Sequence, residues 1–203
     1  MTKVKICGIT SVEDALMAAA AGADALGFIF FEKSPRFLDT EKAASIITSL
    51  PPFIQVVGLF VNAPLEFVND TADRCRLDIA QLHGDESPDY CGEVRRRVMK
   101  AFRVRGMESL AAMPDYRVAG YVLDAYSPNA YGGTGAKFDW ECAVAAKAHG
   151  PIVLAGGLEP DNVTSAVAQV APYGVDVSSG VELSPGVKDP EKVRNFIRRA
   201  KGF

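Results

Sequence analysis

Several things are scarce in this chain, and each scarcity closes a door. Only two histidines occur, His83 and His149, and the four cysteines at 7, 75, 91 and 142 form no C-x-x-C pair. No histidine stands at metal-ligand spacing from them, so no metal site is expected. The charge is nearly balanced, with a net of -3 and a pI near 5.5, which offers no electrostatic footprint for nucleic acid. The one basic cluster, Arg95-Arg96-Arg97, reads as the solvated end of a helix. Long apolar runs are missing too. The most apolar stretch, Ala15 to Phe31, is broken by Gly22, Asp24 and Gly27, so no membrane span is expected. Lys3 and Lys5 leave no apolar run for a signal peptide, and a reduced, cytoplasmic protein is the expectation. The first strand is followed by Cys7-Gly8-Ile9-Thr10, which is no dinucleotide fingerprint.

What the chain does have is alternation. Short Val- and Ile-rich runs, as expected of strands buried on both faces, occur at Lys3–Ile9, Ala25–Phe30, Gln55–Val61, Ile79–Leu82, Val98–Val104, Ala119–Asp124, Pro151–Ala155 and Val175–Ser178. Amphipathic stretches follow each of them, at Val12–Ala21, Asp39–Ser49, Pro64–Cys75, Ser87–Arg97, Met107–Met113, Phe138–Ala148, Glu159–Ala171 and Asp189–Lys201. Start signals support several of these helices. Ser11 and Asp14 stand at capping-box spacing, Asp39 opens the second helix, and Asp189-Pro190 the last. Eight strand–helix units in 203 residues have a mean period of roughly 25. That is the compact limit of an α/β fold of the (β/α)8 barrel type, expected here as one TIM-barrel domain over residues 1–203.

The chemistry-bearing residues fall at strand ends. Cys7 closes the first strand and Asp124 the sixth, so a thiol and a carboxyl are expected to face one bound molecule as base and acid. Glycine-rich turns follow strands six, seven and eight: Tyr131-Gly132-Gly133-Thr134-Gly135, Ala155-Gly156-Gly157-Leu158 and Ser178-Ser179-Gly180-Val181-Glu182. Glycine lets the backbone close on an anion, and barrels often bind phosphate in their last two strand–helix loops. Gly133, Gly135, Gly156, Gly157, Ser179 and Gly180 are therefore candidate phosphate contacts. Arg36, on a loop stiffened by Pro35 and flanked by Phe31 and Phe37, could fork a substrate carboxylate. His83, at the end of the fourth strand, could be a hydrogen-bonding contact, a proton carrier or a structural residue of the mouth. Asp176 could hold a substrate hydroxyl or a neighbouring backbone donor.

These segments also match a family. Lys5-Ile6-Cys7-Gly8-Ile9-Thr10, Lys33-Ser34-Pro35-Arg36, Gln81-Leu82-His83-Gly84 and Leu123-Asp124 are followed in order by Tyr131-Gly132-Gly133-Thr134-Gly135 and Phe138-Asp139-Trp140. Asp176-Val177-Ser178-Ser179-Gly180-Val181-Glu182 and Ser184-Pro185-Gly186-Val187-Lys188-Asp189 complete the series. Together they resemble phosphoribosylanthranilate isomerase of tryptophan biosynthesis over essentially the whole chain, with no departure at a catalytic position.

The resemblance implies an Amadori rearrangement of N-(5′-phosphoribosyl)anthranilate, with Asp124 as general acid and Cys7 as general base. Arg36 would hold the anthranilate carboxylate, and the turns at Gly156-Gly157 and Ser179-Gly180 the phosphate. No metal or organic cofactor is implied, because the iminium intermediate is itself an electron sink. The expected partner is a small phosphorylated substrate, handled by a monomer or homodimer. A thiol of ordinary pKa, about 8.5, is a few per cent ionised at pH 7, so a modest downward shift at Cys7 is expected. Two other readings stand beside this one. The histidine-pathway ribotide isomerase performs the same type of rearrangement, but with an aspartate where Cys7 stands. The other is a non-catalytic sugar-phosphate binder, against which the presence of both Cys7 and Asp124 argues.

Overall fold

The computed structural model describes residues 1–125 and 140–202. Eight parallel strands close into a barrel in sequence order. They are β1 (Lys3–Cys7), β2 (Ala25–Ile29), β3 (Gln55–Phe60), β4 (Ile79–Leu82), β5 (Arg97–Val104), β6 (Gly120–Ala125), β7 (Ile152–Leu154) and β8 (Gly174–Val177). Closure is made by β8 against β1, in a register that sets Lys5 beside Asp176. The helices around it are α1 (Val12–Ala20), α2 (Thr40–Thr48), α3 (Leu65–Arg74), α4 (Pro88–Glu93), α5 (Trp140–Ala146), α6 (Val163–Val170) and α7 (Pro190–Lys201). A two-stranded hairpin, β9 (Glu182–Ser184) and β10 (Val187–Lys188), lies between β8 and α7. No helix among the described residues is long and apolar enough to cross a membrane.

Strand parity sorts the side chains into two populations. Val4, Ile6, Leu26, Phe28, Leu123, Leu154, Val175 and Val177 face outward into the main core beneath the helices. The alternate residues fill the lumen. Val57, Met99, Ala101, Val122, Val153 and Ala155 form an apolar plug. Cys7, Ile29, Leu59 and Val61 form a smaller cluster of their own. The lumen also carries the buried polar residues Lys5, Gln81, Asp124 and Asp176 of β1, β4, β6 and β8.

Helix starts follow the sequence signals. Ser11, Asp39 and Ser87 each accept a backbone N–H three residues on, and Asp189 accepts from Glu191 and Lys192. Such a cap contributes about 1 kcal/mol. The Ser11 box is only half made, because the Asp14 carboxylate accepts from the Lys188 backbone N–H instead.

Three expectations need correction. Met107–Met113 forms no α-helix. It makes two 3₁₀ turns, Met107–Leu110 and Met113–Asp115, because Pro114 and the extended Gly106 leave too short a run to nucleate more. The fourth helix ends at Glu93, since Val94 is extended and the Asn69 side chain captures the Arg95 N–H. The arginine cluster is therefore not a helix end. Arg95 and Arg96 pair with Asp73 on α3, and Arg97, the first residue of β5, bonds Gln55. The helix expected from Glu159 starts instead at Val163. Before it, Asn162 accepts from the Glu159 N–H and donates to the Gly157 carbonyl.

Candidate active site

One cavity at the C-terminal mouth of the barrel gathers Cys7, Arg36, His83, Asp124, Asp176, Gly156, Gly157, Ser179 and Gly180. Every site residue expected from the sequence within the described range is among them. Gly133 and Gly135 lie outside the described residues.

Asp124, the penultimate residue of β6, faces the lumen and is almost fully buried. Its Oδ2 lies 3.2 Å from His83 Nε2, and Gln81 Nε2 lies 3.1 Å from His83 Nδ1. The Gln81 amide donates to Nδ1, which places the imidazole hydrogen on Nε2, where it donates to Asp124. Gln81 on β4 and His83, one residue past its end, stand at two-residue spacing, so this relay follows from strand parity. His83 is thus a partner of Asp124 as well as a wall of the cavity.

Cys7 occupies a different electrostatic setting. Its thiol lies over Gly27, the neighbouring residue on β2. A Cβ placed on Gly27 would come within 2.7 Å of the sulfur and 3.0 Å of Lys5 Nζ. Lys5 Nζ donates to Asp176 Oδ2 at 2.8 Å in a buried ion pair. Burial pushes the Cys7 thiol up, Lys5 pulls it back down, and Asp176 adds to the rise, with a net upward shift. The modest downward shift expected from the sequence is therefore not found. For Lys5, burial opposes the charge, but Asp176 and Cys7 outweigh it and the amine is held above its ordinary range.

Arg36 is already engaged along one edge. Its Nε lies 2.8 Å from Glu182 Oε1, and its Nη2 lies 2.6 Å from Oε2. This fork fixes the guanidinium plane and uses Nε and Nη2, and Arg36 also lines the cavity. Burial alone would raise Glu182, but Arg36 and Lys188 overcome it and hold the carboxyl below its ordinary range. Lys188, fully buried on β10, donates to Glu182 Oε1 at 2.7 Å and also to the Cys7 and Ser178 carbonyls. One ammonium thus ties the hairpin to the ends of β1 and β8. Glu182 and Lys188 lay within motifs already noted, yet nothing in the sequence joined Glu182 to Arg36, 146 positions away.

The two glycine turns after β7 and β8 interlock. Gly156 and Gly157 adopt φ of +80° and +68°, a region that favours glycine. A Cβ at Gly180 would run into the Leu158 carbonyl, so only glycine lets the β8 loop close on the β7 loop. Because α6 starts late, the turn itself, stapled by Asn162, rather than a helix N-terminus follows Gly157. Among the described residues, three buried side-chain atoms lack a hydrogen-bond partner: Gln81 Oε1, Asp176 Oδ1 and Ser178 Oγ. All three residues line this cavity. Buried polar atoms are rarely left unpaired, so their convergence suits a polar ligand. Also among the described residues, no group of three His, Cys, Asp or Glu side chains is arranged to hold a metal.

Residues 4–199 match the family model for N-(5′-phosphoribosyl)anthranilate (PRA) isomerase. An N-(5′-phosphoribosyl)anthranilate isomerase of Geobacter sp. (strain M21) is 75% identical over 201 residues, covering 99% of this chain and 98% of the relative. The crystal structure of phosphoribosyl anthranilate isomerase from Thermotoga maritima superposes with a TM-score of 0.95 at 42% identity, covering 100% of both chains. A second structure, of a phosphoribosyl anthranilate isomerase in complex with reduced 1-(o-carboxyphenylamino)-1-deoxyribulose 5-phosphate, gives 0.91 at 41% over the same full coverage. With its barrel, its mouth cavity and these likenesses in agreement, the chain belongs to the N-(5′-phosphoribosyl)anthranilate isomerase family.

Proposed function

We propose that this barrel isomerises N-(5′-phosphoribosyl)anthranilate to 1-(o-carboxyphenylamino)-1-deoxyribulose 5-phosphate, with Asp124 as general acid and Cys7 as general base. The observation that carries the assignment is the meeting of a buried carboxyl from the end of β6 and a buried thiol from the end of β1 on one cavity. Asp124 protonates the ribose ring oxygen as its bond to C1′ breaks, leaving an iminium between C1′ and the anthranilate nitrogen. Cys7 then takes the proton from C2′. The C–H electron pair neutralises the iminium to an enolamine, which ketonises to product. A positive iminium beside the thiol favours the thiolate at the moment the base is needed. The iminium supplies the electron sink, so no metal or organic cofactor enters the scheme.

The remaining residues bind. Arg36 takes the anthranilate carboxylate. Asp176 Oδ1, left over when Oδ2 holds Lys5, accepts a ribose hydroxyl. The turns at Gly156-Gly157 and Ser179-Gly180 hold the phosphate by backbone N–H groups, and the reading extends to Gly133 and Gly135. The enzyme is taken to be a single domain over residues 1–203, acting in the cytoplasm as a monomer or homodimer. Incubating the purified protein with freshly made phosphoribosylanthranilate should abolish the substrate's fluorescence at a rate proportional to enzyme. Persistence of the signal, with folding confirmed by circular dichroism, would remove the activity.

A further inference from the structure

Lys5 is a buried cation that the reaction scheme above does not use. On β1 it lies two residues before Cys7, so both side chains enter the lumen from the same face. Gly27 opens the space they share, since a Cβ there would meet the sulfur and the ammonium together. Asp176, the register partner of Lys5 on β8, fixes the ammonium from the other side. The substrate-facing cavity is lined by Cys7 and Asp176 but not by Lys5, which reaches them from below. We propose that Lys5 is the positioning residue of the base: its ammonium, anchored by Asp176, is shared with the Cys7 sulfur and stabilises the thiolate. This rests on Cys7 being the base and adds how a buried thiol becomes one.

Other charged groups also reach Cys7. Asp176 on β8 opposes the thiolate, while Lys188 on β10 favours it. Lys188 is bound to the Cys7 carbonyl and to Glu182, and Arg36, on the loop before α2, is neutralised by the same Glu182. Lys5 is the cation whose ammonium shares with the sulfur the space left open over Gly27. Burial alone pushes the thiol up and Lys5 is the largest influence in the other direction, which agrees with this arrangement.

The test uses the rate of iodoacetamide alkylation at Cys7 against pH, read by peptide mass spectrometry on the intact enzyme. Only the thiolate reacts, so the midpoint reports Cys7 without any turnover and remains informative even if the isomerase assignment fails. Lys5→Met should move the midpoint up by about one pH unit or more, the usual reach of a neighbouring opposite charge. Asp176→Asn should move it down. The double variant Lys5→Met/Asp176→Asn carries no unpaired buried charge and keeps the test open if Lys5→Met does not fold. Its midpoint should lie above that of the parent. The rising limb of kcat/KM against pH should shift with the alkylation midpoint in each variant. A double variant whose midpoint equals or falls below the parental value would overturn the role of Lys5. Shifted alkylation beside an unshifted kcat/KM limb would instead remove Cys7 as the base.

Discussion

The two edges of the cavity hold Cys7 and Asp124 by different means. On the β1–β8 edge, Cys7 sits among full charges: Lys5 bound to Asp176, and Lys188 bound to Glu182. On the β4–β6 edge, Asp124 is held through His83 and Gln81, a relay of hydrogen bonds. Arg103, which is in register with Asp124 on β5, pairs with Asp85. The difference suits the roles proposed for the two residues. A thiol must be helped to ionise, which calls for cations, whereas a carboxyl that donates a proton needs orientation more than counter-charge.

The largest expected effects treat both edges alike. Cys7→Ala and Asp124→Ala should each lower kcat by at least about a hundredfold, the lower range for loss of a general base or acid. Each should leave affinity for the reduced product analogue within roughly tenfold, because neither side chain is assigned a main binding role. Near-parental kcat in either folded variant would take that residue out of the mechanism.

Below that come changes meant to separate the edges. Glu182→Gln strips the counter-charge from Arg36 and Lys188, and breaking such a buried cluster costs about 3–5 kcal/mol of stability. Glu182 is held low in the folded state, so its contribution is present in full above its unfolded pKa, about 4.3, and is lost as pH falls through the lower folded value. Denaturation midpoints of parent and variant should therefore differ at neutral pH and converge in acid. A gap independent of pH would deny Glu182 its ionic role. Arg36→Met should raise KM more than it lowers kcat, since a carboxylate remote from the reacting carbons is held equally in ground and transition states. Unchanged KM with a large fall in kcat would contradict that. His83→Gln should lower kcat by roughly tenfold, less than loss of the acid itself, and leave Cys7 alkylation unmoved. A shift in the alkylation midpoint would mean that the two edges are electrostatically coupled.

Much of this site is written locally. The strand ends bearing Cys7 and Asp124 are visible because apolar runs stop there, and parity alone puts Lys5 with Cys7 and Gln81 with His83 on shared faces. A lysine between Val4 and Ile6, on the same strand face as Cys7, was itself a signal worth following. What stays hidden depends on closure of the barrel. Lys5 meets Asp176 across 171 positions, and Arg36 meets Glu182 across 146. No local pattern encodes either pair. The missed helix boundaries are decided by side chains: Asn69 on α3 ends α4 from 26 positions away, and Asn162 delays α6 from within its own turn. The upward shift of Cys7 was equally out of reach, because it is set by burial.

The division of labour between the edges can be read most directly from the primary isotope effect on kcat with substrate deuterated at C2′. Weakening the base by Cys7→Ser should make removal of that proton more limiting, and the isotope effect should rise above the parental value. Weakening the acid by Asp124→Asn should make ring opening limiting, and the effect should fall toward unity. The opposite pattern, or an isotope effect unchanged in both variants, would contradict the assignment of base to β1 and acid to β6.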